Sequence, residues 1–207
     1  MKTIAILIPL SWTHVPSEFF LSFMGMFSLA KRDFNPIIIS SKCSYLDYGR
    51  EQSIEMALGI NPDYIMWIDA DQVYQEDTIA RLAKHIDDGM MVVNGVTPHK
   101  ENGKPMEYEF RGGDAVATMI DGFQVNRGLV KVDVPGGGGQ MMNPRVYSIL
   151  SPPYYIRTEA DPPGMRIGED VLFFWKLKQA GVESWVDTDL HFGHIVNGII
   201  NVTNGGN

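Results

Sequence analysis

Apolar positions in this chain fall into two alternating modes from its start, short continuous runs and stripes at helical spacing. Ile4 to Leu10 is a continuous apolar run, which predicts a strand buried on both faces, as in parallel sheets. After a loop from Ser11 to Ser17, the segment Glu18 to Lys31 carries Phe19, Phe20, Phe23, Met26, Phe27 and Ala30 at helical spacing. Pro36 to Ser40 predicts a second strand. Tyr48 to Leu58 predicts a second helix, closed by Gly59, the residue type best able to take the left-handed helix-ending conformation. Tyr64 to Ile68 reads as a third buried strand, followed by a helix from about Gln75 to Asp88 with Gly89 at its end. Met90 to Asn94 gives a fourth strand.

This alternation predicts an α/β fold with a mainly parallel central sheet and helices on both faces, and in such sheets ligands bind beyond the carboxyl ends of the strands. Past His99 the pattern loosens. Lys131 to Val134 predicts one strand, and the glycines from Gly136 to Gly139 mark either a flexible loop or a close backbone approach. Pro152-Pro153 and Pro162-Pro163 bracket an irregular segment before an amphipathic helix from Glu169 to about Ala180, closed by Gly181. The chain shows no internal repeat, and Asn201 to Asn207 reads as a frayed tail.

Composition narrows the function classes. A length of 207 residues suits one domain, and a formal charge of −8 argues against a broad nucleic-acid surface, which needs a basic patch or stripe. Cys43 is the only cysteine, which excludes an internal disulfide framework and a multi-cysteine metal cluster, and fits a reducing compartment. Lys2 and the run from Ile4 make a poor signal peptide, because no small-residue cleavage pattern follows. Charges and prolines interrupt every candidate transmembrane span, so a soluble, cytoplasmic chain is expected. Asn201-Val202-Thr203 matches a glycosylation acceptor but, without a secretion signal, is taken as chance.

The sharpest chemical feature is Asp69-Ala70-Asp71, two carboxylates where a buried strand leaves the sheet. Hard oxygen ligands at a strand end suit Mg²⁺ or Mn²⁺, which keep positions open for water and substrate phosphate. The competing interpretation is a turn or helix cap, but Glu76 and Asp77 already occupy the expected first turn of the next helix, which leaves Asp69 and Asp71 too early to serve its dipole. Gly168-Glu169-Asp170 opens the last helix; such acids either favour the helix dipole or act as a general base on a hydroxyl. Asp189-Leu190-His191-Phe192-Gly193-His194 sets two imidazoles three residues apart on a segment that reads as a strand leading into a loop, where a neutral imidazole is either structural or completes a carboxylate-rich metal site. No hydrolase nucleophile elbow, phosphate-binding Gly-Lys-Ser/Thr loop or dinucleotide fingerprint stands at a strand end.

The order strand, Asp69-Ala70-Asp71, glycine-rich loop, Gly168-Glu169-Asp170 helix and Phe192-Gly193-His194 resembles the GT-A-fold glycosyltransferases, most closely the family 2 type, over most of the chain. The resemblance implies one GT-A domain over residues 1–200, with a nucleotide-binding half at 1–98, an acceptor and catalytic half at 99–200, and a tail at 201–207. It implies Mn²⁺ or Mg²⁺ and the donor diphosphate at Asp69 and Asp71, with Asp71 the firmer ligand and His194, in preference to His191, completing the metal shell. It implies Asp170 as catalytic base with Glu169 as neighbour or substitute. Pro9, Leu10, Arg50 and Ala70 join the nucleotide-sugar site, Gly137, Gly138, Gly139 and Gln140 form the donor-sugar and acceptor loop, and the acceptor side, Gly136 to Gln140 with Ser151 to Gly164, is minimal or completed by a partner. Many relatives place an acidic residue after the second strand, whereas here Ile39 is followed by Ser40, Ser41 and Lys42, which leaves the nucleotide open.

The expected reaction is transfer of a sugar from a nucleoside diphosphate sugar to a hydroxyl acceptor, with inversion inferred from the Glu-Asp resemblance. Two alternatives stand beside it. A sugar-nucleotide nucleotidyltransferase needs a glycine-rich basic loop after the first strand, where this chain has Ser11-Trp12-Thr13-His14-Val15-Pro16-Ser17. A noncatalytic carbohydrate-binding module would keep the fold without turnover.

Overall fold

The computed structural model describes residues 1–10, 14–42, 45–159 and 166–203; Cys43, the start of the Ser11 to Ser17 loop, Pro162-Pro163 and the end of the tail lie outside the described residues. In chain order the elements are β1 (Lys2–Leu10), α1 (Ser17–Ala30), β2 (Phe34–Lys42), α2 (Leu46–Gly59), β3 (Tyr64–Trp67), β4 (Gln72–Val73), α3 (Thr78–Asp87) and β5 (Val92–Val96). There follow β6 (Tyr108–Phe110), β7 (Ala117–Met119), β8 (Leu129–Val132), β9 (Gln140–Met142), α4 (Val146–Ile149), β10 (Thr158–Glu159), β11 (Arg166–Ile167), α5 (Glu169–Gln179), β12 (Ser184–His191), β13 (Gly193–Ile195) and β14 (Ile199–Asn201).

Side chains that alternate along a strand point to opposite faces, and both faces of this sheet are apolar. Ile4, Ile6 and Ile8 of β1 join Tyr64, Met66 and Ile68 against Phe19, Phe23 and Met26 of α1 and Ile79, Leu82 and Ile86 of α3. Ala5 and Leu7 join Ile65 and Trp67 against Ile54 and Ala57 of α2 and Phe173, Phe174 and Leu177 of α5. That two-sided burial is why β1 and β3 read as unbroken apolar runs.

The central sheet has seven strands in the order β2-β1-β3-β9-β5-β12-β8. β2, β1, β3, β5 and β12 share one direction, while β9 and β8 run against their neighbours. The sheet is therefore mostly parallel, as expected, with an antiparallel strand at its centre that the apolar pattern does not reveal. Gln140, placed in a loop by its glycine neighbours, begins that strand and pairs with Trp67.

Among the boundaries that differ from expectation, four have a clear local reason. α2 runs through Gly59, and Asn61 at φ 48 makes the left-handed turn instead. α3 starts at Thr78, because Gln72 and Val73 first pair with β13; Glu76 thus precedes the helix and Asp77 takes its cap position. β5 starts at Val92, since the Met90 N–H is spent on the His85 carbonyl at 3.2 Å after the Gly89 turn. β8 ends at Val132, because Val134 bridges to Tyr108. No helix among the described residues is long and apolar enough to cross a membrane.

Candidate functional site

From β1 the chain passes over one face of the sheet to β2 and returns over the other to β3, so β1 is flanked by strands on both sides. The carboxyl ends of β1 and β3 open at this switch point, where α/β sheets bind ligands. A cleft of about 240 Å³ lies there, lined by Pro9, Leu10, Leu46, Arg50, Asp69, Ala70, Asp71, Glu169 and Asp170. Eight of these nine stand among the candidates named from sequence; Leu46, at the start of α2, carries no chemical signal and joins through packing alone.

The Asp69-Ala70-Asp71 turn is braced from beneath. The Tyr74 hydroxyl accepts the Asp69 N–H at 3.0 Å and lies 3.1 Å from both the Asp69 carbonyl and Gln72 Oε1, to one of which it donates. The Asp71 carbonyl accepts the Ile195 N–H at 2.8 Å, which ties the turn to β13. Gly138 lies so close above that a Cβ there would collide with the Asp69 backbone nitrogen and sit 2.8 Å from its carboxyl carbon. Burial pushes the Asp69 carboxyl up; Arg50 opposes this, while Asp71 and Asp170 reinforce it.

Arg50 is buried beneath the cleft, its guanidinium 4.9 Å from the Trp67 ring centroid and 5.6 Å from that of Tyr155. It meets Asp69 Oδ1 at 3.8 Å and Glu169 Oε1 at 3.5 Å. Glu169 Oε2 meets Arg157 Nε at 3.1 Å, so each Glu169 oxygen faces an arginine and the carboxylate is 6% exposed. Asp170 forms no ion pair among the described residues. Its Oδ1 accepts the Val171 N–H at 2.8 Å, and its side chain reaches two cavities, the cleft and a second one.

On the other side of the turn, β13 pairs with β4 and sets His194 beside Gln72. The His194 Nδ1–H donates to the Pro98 carbonyl at 2.9 Å, which leaves Nε2 facing Asp71 Oδ2 across 3.5 Å. The same Oδ2 accepts the Lys100 ammonium at 2.8 Å. Burial raises the Asp71 carboxyl, but the His194 and Lys100 hydrogen bonds outweigh it and hold it at about 2. Either a proton on Nε2 or a cation between the two would satisfy this imidazole nitrogen and the carboxylate oxygen it faces. Among the described residues no group of three or more His, Cys, Asp or Glu side chains converges as a metal cage. Asp71 and His194 are two side chains that could hold a hard cation here, and the rest of its shell would have to come from phosphate oxygens and water. His191 turns away, its Nε2 2.8 Å from the Thr188 carbonyl.

The glycine run is a close backbone approach. The Gly139 N–H donates to the Trp67 carbonyl at 2.7 Å, Gly139 at φ +82 lies under the Phe192 ring, and the Gly136 N–H donates to buried Glu107 at 3.3 Å. Gln140 is turned back onto this strap, its amide donating to the Gly137 carbonyl at 2.9 Å. Gly136 and Gly137 line the second cavity, also about 240 Å³, with Met106, Tyr108, Val134 and Asp170. Lys100 and Pro98 leave no trace in the sequence pattern, because each acts through a contact with a residue distant in the chain, and Arg157 falls in the expected Ser151 to Gly164 segment without being singled out there.

Comparison with known proteins adds two findings. The family model described as "Glycosyl transferase family 2" matches residues 28–146, more than half of the chain. Among solved structures, the crystal structure of A197 from STIV is similar at a TM-score of 0.65 and 19% identity, covering 98% of this chain and 95% of that one. At that identity the likeness speaks for the fold. A comparison with curated proteins finds no matching sequence.

Proposed function

Because the chain belongs to glycosyltransferase family 2, we propose that it transfers a sugar from a nucleoside diphosphate sugar to an acceptor hydroxyl, using the cleft at the ends of β1 and β3 as its donor site. The observation that carries this reading is Asp170, which borders both the cleft and the second cavity, so a donor in one and an acceptor in the other would meet at its carboxylate.

Each residue then has a part. Pro9, Leu10 and Leu46 give the nucleotide an apolar wall, and Arg50 holds Asp69 and Glu169 in place from beneath. Asp71 and His194 would hold Mn²⁺ or Mg²⁺; when bound, the ion neutralises charge developing on the departing diphosphate. Asp69, paired with Arg50 rather than with His194, is offered to the hydroxyls of the donor. Glu169 is committed to two arginines, which leaves Asp170 to take the proton of the acceptor hydroxyl. Gly136 and Gly137 line the second cavity, and attack there by a hydroxyl that Asp170 deprotonates, on the sugar face away from the diphosphate, would invert the anomeric centre.

The test is release of nucleoside diphosphate from a panel of nucleotide sugars with Mn²⁺, Mg²⁺ or chelator, for the wild type and Asp170→Asn. Metal-dependent release from one donor, lowered about 10²- to 10⁴-fold in the variant, is expected. Full turnover by Asp170→Asn would remove the base assignment, and the absence of release from every donor would contradict glycosyl transfer.

A further inference from the structure

Lys100 sits in a built turn. His99 N–H donates to the Lys104 carbonyl at 2.7 Å, Gly103 N–H to the His99 carbonyl at 2.9 Å, and Thr203 N–H to the Gly103 carbonyl at 2.9 Å. Pro98, two residues before Lys100, carries the carbonyl that orients His194. The turn is thus braced from both sides, and it aims a side chain that is 49% exposed at Asp71. Glu101 stands next to Lys100 in sequence, yet the ion pair is made with Asp71.

The ammonium occupies the oxygen that matters most. Asp71 Oδ2 receives Lys100 at 2.8 Å and faces His194 Nε2 at 3.5 Å, so a divalent cation bound by Asp71 and His194 meets a positive charge already in its place. Both cannot hold that oxygen closely. Four carboxylates line the cleft, Asp69, Asp71, Glu169 and Asp170, and Arg50 and Arg157 are spent on Asp69 and Glu169. A diphosphate entering such a cleft needs further positive charge beyond the metal ion, and a lysine on a flexible four-carbon stem supplies it as a point charge.

We propose that Lys100 is a diphosphate-binding residue that rests on Asp71 Oδ2 in the free chain and passes to the donor's phosphate oxygens when a divalent cation takes that oxygen. The inference rests on the reading of the cleft as a donor site. It gives Lys100 opposite effects on two ligands, competing with the cation alone and assisting the diphosphate.

The experiment titrates Mn²⁺ alone, and then inorganic pyrophosphate in saturating Mn²⁺, into the wild type, Lys100→Ala and Lys100→Arg, with Lys84→Ala as an exposed control. Pyrophosphate presents the diphosphate without requiring the nucleotide to be known. Lys100→Ala is expected to bind Mn²⁺ several-fold more tightly and pyrophosphate at least about tenfold more weakly. Lys100→Arg should recover most of the pyrophosphate affinity, and Lys84→Ala should match the wild type in both titrations. Equal or tighter pyrophosphate binding by Lys100→Ala would overturn the proposal, reducing Lys100 to a counter-ion for Asp71. Unchanged Mn²⁺ affinity would overturn the exchange. Failure of the wild type to bind pyrophosphate at all, with Mn²⁺ still bound, would instead overturn the donor-site reading beneath it.

Discussion

Arg50 shows how one residue fixes the chemistry of its neighbours. Its guanidinium lies against Trp67 and Tyr155 and pairs with Asp69 and Glu169, so desolvation of the arginine is offset by two carboxylates and two rings. Burial pulls its pKa down, but Asp69, Tyr155, Asp170 and Glu169 together raise it above the ordinary value. Arg50→Ala would leave Asp69 without its ion pair and Glu169 with Arg157 alone, and a loss of about 3–5 kcal/mol of stability is expected in denaturant unfolding. A loss below about 1 kcal/mol would mean that water reaches these carboxylates freely. The sequence placed Arg50 in the site by resemblance. It gave no hint that Arg50 and Arg157 between them occupy Glu169, because these ion pairs join residues more than a hundred positions apart or lie across the irregular segment before α5. The surroundings of the two histidines were likewise hidden, Thr188 for His191 and Pro98 with Asp71 for His194.

At the scale of elements, the strap from Gly136 to Gly139 and the strand β9 after it join the two halves of the site. β1, β3 and the helices were legible because their apolar runs and stripes are long; β9 is three residues, Gln140 to Met142, and its central position shows only in its pairing with β3 and β5. β12 was legible only at its end, Asp189 to His191, for another reason. Asp187 and Thr188 are buried polar residues, satisfied by Arg81, His85 and the Gly128 carbonyl, and they break the alternation that marks a strand. The strap itself is testable. Gly138→Ala would push it off the Asp69 turn, and an overpacking loss of about 1–3 kcal/mol, with weakened donor binding, should appear in thermal melts with and without nucleotide.

Glu107 anchors the same strap, and burial raises its carboxyl well above the ordinary 4.5. A carboxyl with a raised folded-state pKa holds its proton more tightly in the folded chain, so its contribution is fully present below 4.5 and falls as pH rises through and above that value. Glu107→Gln keeps an acceptor for the Gly136 N–H and does not ionise. The stability of the wild type relative to Glu107→Gln should therefore decline from pH 4.5 toward neutrality in parallel denaturant titrations. A difference independent of pH would show that Glu107 is charged in the folded chain.

For the whole molecule, a mostly parallel sheet with its switch at β1 brings the ends of β1 and β3 and the starts of α2 and α5 to one cleft, with the β4–β13 pair beside the Asp71 turn, although these segments span the chain from Pro9 to His194. The alternation of runs and stripes made that architecture legible, and with it the carboxyl-end location of the cleft. The alternation says nothing about what enters the cleft, since specificity belongs to pocket shape and to side chains such as Leu46 and Lys100. The most direct test is anomalous diffraction at the manganese edge from crystals grown with Mn²⁺ and the nucleoside diphosphate that most raises the melting temperature. The expected result is a manganese peak in bonding contact with Asp71 Oδ2 and His194 Nε2, sharing a diphosphate oxygen, with the nucleotide against Pro9, Leu10 and Arg50. Manganese bound elsewhere, or a nucleotide outside this cleft, would contradict it.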